Sequence, residues 1–377
     1  MSFFRLQKLL GQFTLVNFHL RIMFLMLVII CMIGVLFNFY RKTDLTPCFM
    51  DSPFENSSTK LEDVLFSRVQ PDPGRSIFFH ETTCPQMSSM LRADVYAEGV
   101  HLNVAKLNPR QACAIESAAI HNPASKVFVL FASPRYKNSN YSDPIMDAIL
   151  SYKNVYLRNL NLWTYAVGTP VYDLLKDGAL FKSNYVLSHI SDICRYLTLW
   201  RWGGTYLDMD VVMLRSMEDV PPNYTGAESN THLAAGVMNF AHDGFGHEIA
   251  ESCLLDLQRN FDGSNWGNNG PGVITRVMKR ICQTSNIEVM QDNTKRCMGF
   301  KVFPIEAFYS IPWPEWGNFF DSNLLEQTMT RLKNSYVAHV WNKHSIKRQI
   351  RTDSNCAYSV LARKHCPRVF KAAGEYF

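Results

Sequence analysis

The stretch YVLSHISDICRYLTLWRWGGTYLDMDVVML, residues 185–214, constrains the fold more than any other part of this chain. Apolar residues recur at spacings of four and three from Val186 to Trp200, which predicts a helix with one buried face. Gly203 and Gly204 follow, as glycine does at a helix C-terminus, and an apolar strand begins at once. A helix that runs directly into a buried strand predicts an α/β sheet at this point.

Three apolar segments upstream predict further strands of the same sheet. SIFFHET (76–82) and KVFVLFAS (126–133) flank the helical segment QACAIESAAIHNP (111–123), and NVYLRNLN (154–161) follows. Strand–helix–strand is the unit of a parallel sheet, so we expect an α/β fold. Neither GxGxxG nor a Walker A loop occurs, which leaves the usual dinucleotide-binding and P-loop functions unsupported. The net charge of +5 is scattered along the chain, and we expect no nucleic-acid partner.

Asp208 and Asp210 stand one residue apart within the predicted strand. Side chains at i and i+2 of a strand point to the same side, so the two acids are expected to face one point. Adjacent like charges are unfavourable unless a cation or water reaches both of them. Because open α/β sheets bind ligands at such an edge, the pair predicts a divalent-cation site, with an exposed acidic strand end as the alternative.

The N-terminal region carries a second strong signal, since residues 22–40 contain no charged side chain. That length is close to the ~20 residues needed to cross a bilayer and exceeds the ~7–15 of a cleaved signal peptide's apolar core. Basic residues precede the segment without acids, which favours a cytosolic N-terminus. We therefore expect a cytosolic tail (1–21), a transmembrane signal-anchor (22–40), a proline-containing stem (41–74) and a lumenal domain (75–377). A signal peptide or a buried core helix is the alternative for the apolar segment.

Sequons and cysteines agree with a secretory location for the residues beyond the apolar segment. N-glycosylation sequons begin at Asn56, Asn140 and Asn223. Nine of the ten cysteines lie beyond residue 40, which suits an oxidising compartment. Modest loop lengths favour the disulfides Cys84–Cys113 and Cys282–Cys297, although pairing does not follow from sequence alone. Cys194 falls in the amphipathic helix, where a buried free thiol is expected.

Several motifs in a fixed order resemble a known enzyme family. The blocks are HISDICRYLTLWRWGGTYLDMDVVML, NWGNNGPGVITRV, PIEAFYSIPWPEW and YVAHVWNKHS, with FFHET and CAIESAAIHNP near the start. Together they resemble the α1,4-glycosyltransferases typified by lactosylceramide 4-alpha-galactosyltransferase, over residues 76–370. The resemblance implies a GT-A fold, a single-pass type II Golgi membrane protein, and retaining transfer from a UDP-sugar to the terminal sugar of a glycosphingolipid.

The resemblance also implies which residues bind a metal ion. Breaking a sugar–UDP bond places negative charge on a diphosphate, which a bound cation neutralises. Mn²⁺ or Mg²⁺ is expected, because hard cations take carboxylate oxygens together with substrate phosphates. Asp208 and Asp210 fit this role, and His339 resembles the late histidine that supplies a third ligand in related retaining enzymes. Without the resemblance, a histidine there is more typical of a hydrogen-bonded core residue.

Donor contacts are implied for further polar side chains, each with an ordinary structural alternative. Asp192 and Arg195 would lie beside the ribose and sugar, although their i, i+3 spacing also fits a helix-face ion pair. Glu81 and Thr82 end the first strand, where a nucleotide would enter or water would solvate the strand end. Lys343 would meet a phosphate oxygen, or stay solvated.

The loop containing Trp266 and Asn269 is expected near the acceptor or the reacting carbon. Asn269 is a candidate catalytic residue that would stabilise an oxocarbenium-like centre. Trp313 and Trp316 are candidate sugar-stacking platforms, with core packing as the equal alternative.

One departure from the family pattern leaves the donor open. Relatives acting on lactosylceramide tend to have Asn-Gly-Ala-Phe where this chain has LAAGVMNF, residues 233–240, so Ala234 replaces an asparagine. UDP-galactose, UDP-N-acetylgalactosamine and UDP-N-acetylglucosamine all stay open, as do glycoprotein glycans as acceptors. An alternative function is that of a catalytically silent Golgi protein that binds UDP or sugar. The chain could act as a homo- or hetero-oligomer. A metal-dependent hydrolase is a third alternative, but the sequence places no clustered general base beside the acids.

Overall fold

The computed structural model describes Met23 and residues 25–32, 44–50, 59–84, 104–137 and 142–377. Met1–Asp44 forms one compact unit, and Leu45–Phe377 forms another. In the first unit, Met23 and residues 25–32 are helical. Among the described residues, no helix combines the length and the apolarity needed to span a membrane. The predicted tail (1–21) and most of the predicted anchor (22–40) lie outside the described residues, as do the sequons at Asn56 and Asn140.

The second unit is built on a seven-stranded mixed sheet with the order β3-β2-β1-β4-β7-β6-β8. The strands are β1 Ile77–Glu81, β2 Val127–Phe131, β3 Val155–Asn159, β4 Gly204–Leu207, β5 Val211–Met213, β6 Tyr224–Ala227, β7 Leu233–Phe240, β8 Lys301–Phe303 and β9 Val337–His339. Strands β3, β2, β1 and β4 are parallel, and β7 is antiparallel to both β4 and β6. The predicted α/β class and the strand–helix–strand unit are therefore confirmed.

Helices cover both faces of this sheet. They span Pro109–His121, Pro144–Leu150, Leu162–Ala166, Tyr172–Lys176, Val186–Trp202, Gly244–Asn260, Pro271–Cys282, Ile287–Asp292, Ile305–Phe308, Leu325–Leu332, Asn342–Ser345, Ala357–His365 and Pro367–Ala372, with 3₁₀ turns at Thr46–Phe49, Trp313–Phe319 and Ser322–Leu324. Alternate residues of β1 enter different cores: Phe78 packs on the side of Val186–Trp202, and Phe79 on the side of Pro109–His121. This alternation explains why every residue of β1 is buried.

The predicted strand through the two acids is in fact two strands joined by a turn, so the expectation that Asp208 and Asp210 share a strand is wrong. After β4 the chain leaves the main sheet, and the Val211 amide bonds the Asp208 carbonyl at 3.1 Å to close the turn. Strand β5 then pairs with β9, placing Val211 opposite His339. The apolar sequence on both sides of the acids conceals this change of sheet.

The disulfides agree with one of the two sequence predictions. They join Cys48 to Cys84, Cys113 to Cys366, and Cys282 to Cys297. The Cys282–Cys297 prediction is confirmed, whereas the Cys84–Cys113 prediction is wrong. Cys84 lies in the core on one side of the sheet and Cys113 in the core on the other, so the sheet separates them. Cys194 is a buried free thiol, as expected.

Candidate metal centre and adjoining cleft

Three side chains converge where the turn after β4 meets the end of β9. Asp208, Asp210 and His339 each offer a ligand atom, and these atoms lie within 4.8 Å of one another. The His339 Nε2 atom lies 3.7 Å from Asp208 Oδ2 and 3.4 Å from Asp210 Oδ1. The pairing of β5 with β9 therefore brings His339 to two acids that precede it by about 130 positions.

Each carboxylate uses one oxygen for the protein and presents the other toward the imidazole. Asp208 Oδ1 accepts a 2.6 Å hydrogen bond from the Tyr206 hydroxyl and lies 3.2 Å from Arg195 Nη1. Asp210 Oδ2 accepts a 2.7 Å hydrogen bond from the Asn342 amide. The remaining oxygens, Oδ2 of Asp208 and Oδ1 of Asp210, are the atoms directed toward a shared point. The arrangement holds the acids in place without using the oxygens that a cation would need.

The charges of the three groups strongly affect one another. Burial opposes ionisation of Asp208, but Arg195 and a hydrogen bond with His339 lower its pKa to about 2. Burial raises the pKa of Asp210, and the adjacent Asp208 charge adds to this effect. Burial disfavours the charged imidazole, yet Asp210 and Asp208 raise the pKa of His339 above its usual value. Two adjacent acids and a histidine whose pKa they raise form a site where added positive charge is favourable, as a divalent cation would supply.

A glycine provides the space for such an ion. A Cβ atom at Gly236 would lie 2.8 Å from Asp208 Oδ2 and 3.2 Å from His339 Nε2, so any larger residue would fill the space between the ligands. Two carboxylates and an imidazole suit Mn²⁺ or Mg²⁺. The donor atoms and the cradle therefore fit the expected cation. Gly236 is not among the residues that sequence motifs indicated, although a glycine inside a strand is a known indication of close backbone approach.

Arg195 connects the metal centre to the helix Val186–Trp202. Its guanidinium lies 3.1 Å from Asp192 and 3.2 Å from Asp208, and it donates a 2.8 Å hydrogen bond to the Ala235 carbonyl. The Asp192 and Arg195 side chains are each 8% exposed, so this is not a solvated helix-face ion pair. Burial raises the pKa of Asp192 to about 7, although Arg195 opposes the shift. The helix thereby fixes the orientation of Asp208.

Glu81 and Thr82 lie at the end of β1, where both side chains have protein partners. Glu81 is buried, and its carboxylate accepts hydrogen bonds from the Thr83 amide at 2.7 Å and from Gln111 Nε2. The Thr82 hydroxyl donates a 3.0 Å hydrogen bond to the Leu187 carbonyl. Glu81 and Thr82 thus link β1 to the helices that begin nearby.

Asn269 is completely buried beneath its loop. Its amide nitrogen donates a 2.8 Å hydrogen bond to the Asp262 carbonyl, and its oxygen accepts one of 3.0 Å from the Asp262 amide. The same nitrogen lies 3.1 Å from His189 Nε2. The next residue is held by a 2.7 Å hydrogen bond from the Tyr196 hydroxyl to the Gly270 carbonyl. This placement gives Asn269 the geometry of a residue that positions the loop, without a surface for substrate.

A cleft of about 680 Å³ opens beside this loop. Its lining includes Glu228, Ser229, His232, Asn265, Trp266, Gly267, Asn268, Pro271, Gly272, Thr275, Arg276, Lys279, Pro312, Trp313 and Pro314. Trp266 is 38% exposed and Trp313 is 49% exposed, which leaves aromatic surface open on two walls. Trp316 instead packs edge-on against Phe320 at 5.7 Å and does not line the cleft.

One short helical turn connects the metal centre to both tryptophan walls. The Asn342 amide bonds Asp210, the Lys343 Nζ atom lies 3.2 Å from the Trp266 ring centroid, and the His344 ring stacks on Trp313 at 5.4 Å. Partial burial lowers the pKa of Lys343. The turn Asn342–Ser345 is thus the physical link between the ion-binding residues and the cleft.

Glu228 is a cleft residue that no sequence motif indicated. Burial raises the pKa of its carboxyl, while the His339 and His232 charges oppose that shift. Glu228 follows β6 and lines the cleft together with His232. A lone glutamate in a hairpin carries no distinguishing sequence signal, so only the tertiary structure identifies it.

Two family profiles match this chain, one on each side of β7. A family profile described as "Glycosyltransferase sugar-binding region containing DXD motif" matches residues 108–227, and one described as "Alpha 1,4-glycosyltransferase conserved region" matches residues 242–373. Lactosylceramide 4-alpha-galactosyltransferase of Mus musculus is 31% identical over 265 residues, covering 70% of this chain and 72% of that protein. The Homo sapiens protein of that name is 30% identical over 265 residues, covering 70% and 73%. Alpha-1,4-N-acetylglucosaminyltransferase of Homo sapiens is 27% identical over 267 residues, covering 69% and 74%.

Proposed function

Because this chain belongs to the family of glycosyltransferases that includes lactosylceramide 4-alpha-galactosyltransferase, we propose that it transfers a hexose or N-acetylhexosamine from a UDP-sugar to the terminal sugar of a glycosphingolipid. The reaction forms an α1,4 linkage with retention and requires Mn²⁺. The observation that carries the proposal is the pair of carboxylate oxygens directed, with His339, at one point beside a tryptophan-lined cleft.

The ion-binding residues are Asp208, Asp210 and His339, and a divalent cation held there would neutralise charge on the departing diphosphate. Arg195 keeps Asp208 ionised and oriented, since its guanidinium lies 3.2 Å from that carboxylate. Lys343 projects from the turn beside Asp210 and supplies a cation for a phosphate oxygen. On this assignment Asp192, at the other end of the Arg195 guanidinium, positions the donor-binding helix.

The bond changes follow a displacement on one face of the donor sugar. The bond between the sugar's anomeric carbon and the UDP oxygen breaks, and a bond to the acceptor hydroxyl oxygen forms. The acceptor proton passes to the departing phosphate oxygen, so no enzyme nucleophile is required. Intact-mass measurement during turnover tests this step, because a covalent glycosyl-enzyme would contradict it.

The acceptor occupies the cleft next to this centre. Sugar rings present apolar faces that pack on exposed indoles, and Trp266 and Trp313 provide two such surfaces. Glu228 accepts hydrogen bonds from sugar hydroxyls in the cleft. Asn269 acts indirectly in this proposal, because its buried amide holds the loop that presents Trp266.

The donor proposal favours UDP-galactose or UDP-N-acetylgalactosamine, with transfer from UDP-N-acetylglucosamine to glycoprotein glycans as the second candidate. Two observations support the second candidate. They are the relationship to an alpha-1,4-N-acetylglucosaminyltransferase and the small, buried Ala234 side chain in β7. We also propose a Golgi location with a type II orientation, in line with the uncharged residues 22–40.

The deciding experiment screens the full-length chain against the three UDP-sugars and a panel of defined glycolipids and glycans, with linkage analysis of the product. Product formation should require Mn²⁺ and fall at least about a hundredfold in Asp208→Asn and in Asp210→Asn, because the cation contributes several kcal/mol. Asp353→Asn is the matched control, since Asp353 is an exposed acid that pairs with Arg351. Full activity of both variants in the presence of a chelator would refute the metal-dependent proposal.

A further inference from the structure

Next to the cleft, the protein exposes apolar and basic side chains together. Ile346 is 61% exposed and Trp313 is 49% exposed. Lys343, Lys347 and Arg348 are also exposed, and within residues 142–377 none of these three cations is paired with an acid. We call Trp313, Ile346, Lys347 and Arg348 the rim patch; Lys343, assigned above to a donor phosphate, adjoins it at the cleft.

The rim patch borders the mouth of the cleft. Trp313 belongs both to the patch and to the cleft lining, and the Lys343 Nζ atom lies 3.2 Å from the ring centroid of Trp266, which also lines the cleft. His344 stacks on Trp313 at 5.4 Å, which joins the basic segment to the turn Trp313–Phe319. The segment 343–348 therefore adjoins two tryptophans that line the cleft.

The backbone that carries Ile346 is held in place by hydrogen bonds to buried groups. Buried Arg110 donates a 2.9 Å hydrogen bond to the Ser345 carbonyl and another to the Arg348 carbonyl. The Ser345 hydroxyl is buried and donates a 2.8 Å hydrogen bond to the Val340 carbonyl. The backbone on both sides of Ile346 is thus fixed, and its side chain is held outward at a cost in exposed apolar surface.

Single exposed apolar residues occur on every soluble surface and need no explanation, and Leu150 and Met298 are examples here. The rim patch differs because an indole, an aliphatic side chain and two cations, Lys347 and Arg348, which pair with no acid within residues 142–377, lie together. Tryptophan favours the level of lipid headgroups, exposed aliphatic groups enter the acyl boundary, and lysine and arginine are attracted to lipid phosphates. This combination suits a phospholipid surface better than it suits free sugar or a polar protein.

We propose that the rim patch rests on the phospholipid bilayer that carries the acceptor, so that the acceptor's sugar headgroup enters the cleft while its lipid tail stays in the membrane. This inference rests on the proposed glycolipid-transferase function and adds how the acceptor is reached. Because Trp313 belongs to both the patch and the cleft, a sugar headgroup that extends from the bilayer would reach the tryptophan-lined cleft beside the patch. A free oligosaccharide would enter the same cleft without using the patch.

Contact with lipid can be measured without activity. The full-length chain is mixed with nanodiscs of phosphatidylcholine and phosphatidylserine, with and without brominated acyl chains, which quench nearby indoles. The additional fluorescence contributed by Ile346→Trp should be quenched by the brominated lipid. The matched reporter Leu150→Trp replaces another exposed apolar residue, 51% exposed, and should not be quenched. Equal quenching of both reporters, or of neither, would overturn the proposal.

A second measurement compares two acceptors, lactosylceramide in the same nanodiscs of phosphatidylcholine and phosphatidylserine and free lactose. The double variant Ile346→Ser with Lys347→Gln should lower the rate on lactosylceramide at least about fivefold, because one cation near an anionic surface corresponds to that factor. The rate on lactose should be unchanged. Lys295→Gln with Met298→Ser is the control, since these exposed residues lie outside both patch and cleft. A parallel fall on both acceptors would contradict a lipid role and point instead to a role within the cleft.

The two measurements separate failure of this proposal from failure of the proposed function. Quenching of the Ile346→Trp reporter together with no turnover of these two acceptors or of any member of the glycolipid panel would refute the enzymatic proposal and leave the lipid contact standing. Turnover of both acceptors without quenching, and without any effect of the double variant, would do the reverse. A rim patch that binds a protein partner would give that second result.

Discussion

The substitution Gly236→Ala tests the metal centre with a single methyl group. The added Cβ would lie 2.8 Å from Asp208 Oδ2, which is 0.6 Å closer than the 3.4 Å at which ordinary contact begins. Asp208 cannot easily give way, because the Tyr206 hydroxyl and Arg195 hold its other oxygen at 2.6 and 3.2 Å. A shift of 0.6 Å exceeds the ±0.2 Å within which ligand distances are normally held, so the variant should lose the contribution of this ligand.

We expect the affinity for Mn²⁺ to fall by about 10–100-fold, or about 1.4–2.7 kcal/mol, which is the usual cost of disturbing a metal ligand's surroundings. Glycosyl transfer should fall in parallel at limiting Mn²⁺ and recover in part at high Mn²⁺. The assay is a Mn²⁺ titration followed by calorimetry, together with initial rates at several Mn²⁺ concentrations. Stability should change little, since alanine is tolerated better than glycine inside a strand.

Gly317→Ala is the control, because a Cβ at Gly317 meets no atom within 4 Å. If Gly236→Ala binds Mn²⁺ with the affinity of the parent chain while remaining folded, the ion does not occupy the space between Asp208 and His339. The assignment of these ligands would then be wrong, whatever the activity of the variant.

Three further outcomes concern stability. Arg195→Met should lower the free energy of unfolding by about 3 kcal/mol in urea titrations, because it leaves buried carboxylates without their partner. Replacing Cys113 and Cys366 by alanine should lower it by about 4–5 kcal/mol, since this disulfide spans 253 residues. Stability should also fall as pH decreases from about 6.5 toward 4, because burial lowers the pKa of His121 and lowers that of His365 to about 4. The unfolded chain then takes up protons that the folded state does not, and His365→Gln should flatten this part of the pH profile.

Each of these outcomes has a comparison that can contradict it. Arg331→Met breaks an exposed pair with Glu315 and should cost less than about 1 kcal/mol, so an equal loss in both arginine variants would argue against a buried role for Arg195. Removing the 15-residue Cys282–Cys297 link should cost about 3 kcal/mol, and a larger loss than for the 253-residue link would contradict the loop-entropy argument. An unchanged acid profile in His365→Gln would exclude that histidine as the titrating group.

Local signals predicted much of the fold correctly. The periodicity from Val186 to Trp200 and the two glycines that follow correspond to the helix Val186–Trp202 and the start of β4. The apolar runs beginning at Ser76, Lys126 and Asn154 correspond to three parallel strands. These predictions succeeded because burial imposes a helical or strand period on neighbouring residues, which is readable within a short window.

Predictions that depended on distant partners were less successful. The expected strand through Asp208 and Asp210 is a turn, because β9 draws the chain into a second sheet only after the turn. Cys84 pairs with Cys48, and a main-sheet layer separates it from Cys113. The residues next to the acids and the cysteines give no indication of the turn or of the disulfide partner, since both are decided by contacts with segments far away in the sequence.

The sequence by itself determined the order of helices and strands and the chemical identity of the ion-binding groups, because side-chain type and apolar spacing are local properties of the chain. Only the tertiary structure decided which oxygen of each acid is free, that Gly236 leaves room between Asp208 and His339, and that one turn connects this centre to Trp266 and Trp313. Those features arise from distances of a few ångströms between segments far apart in the chain, and such distances are fixed by packing rather than by any local pattern.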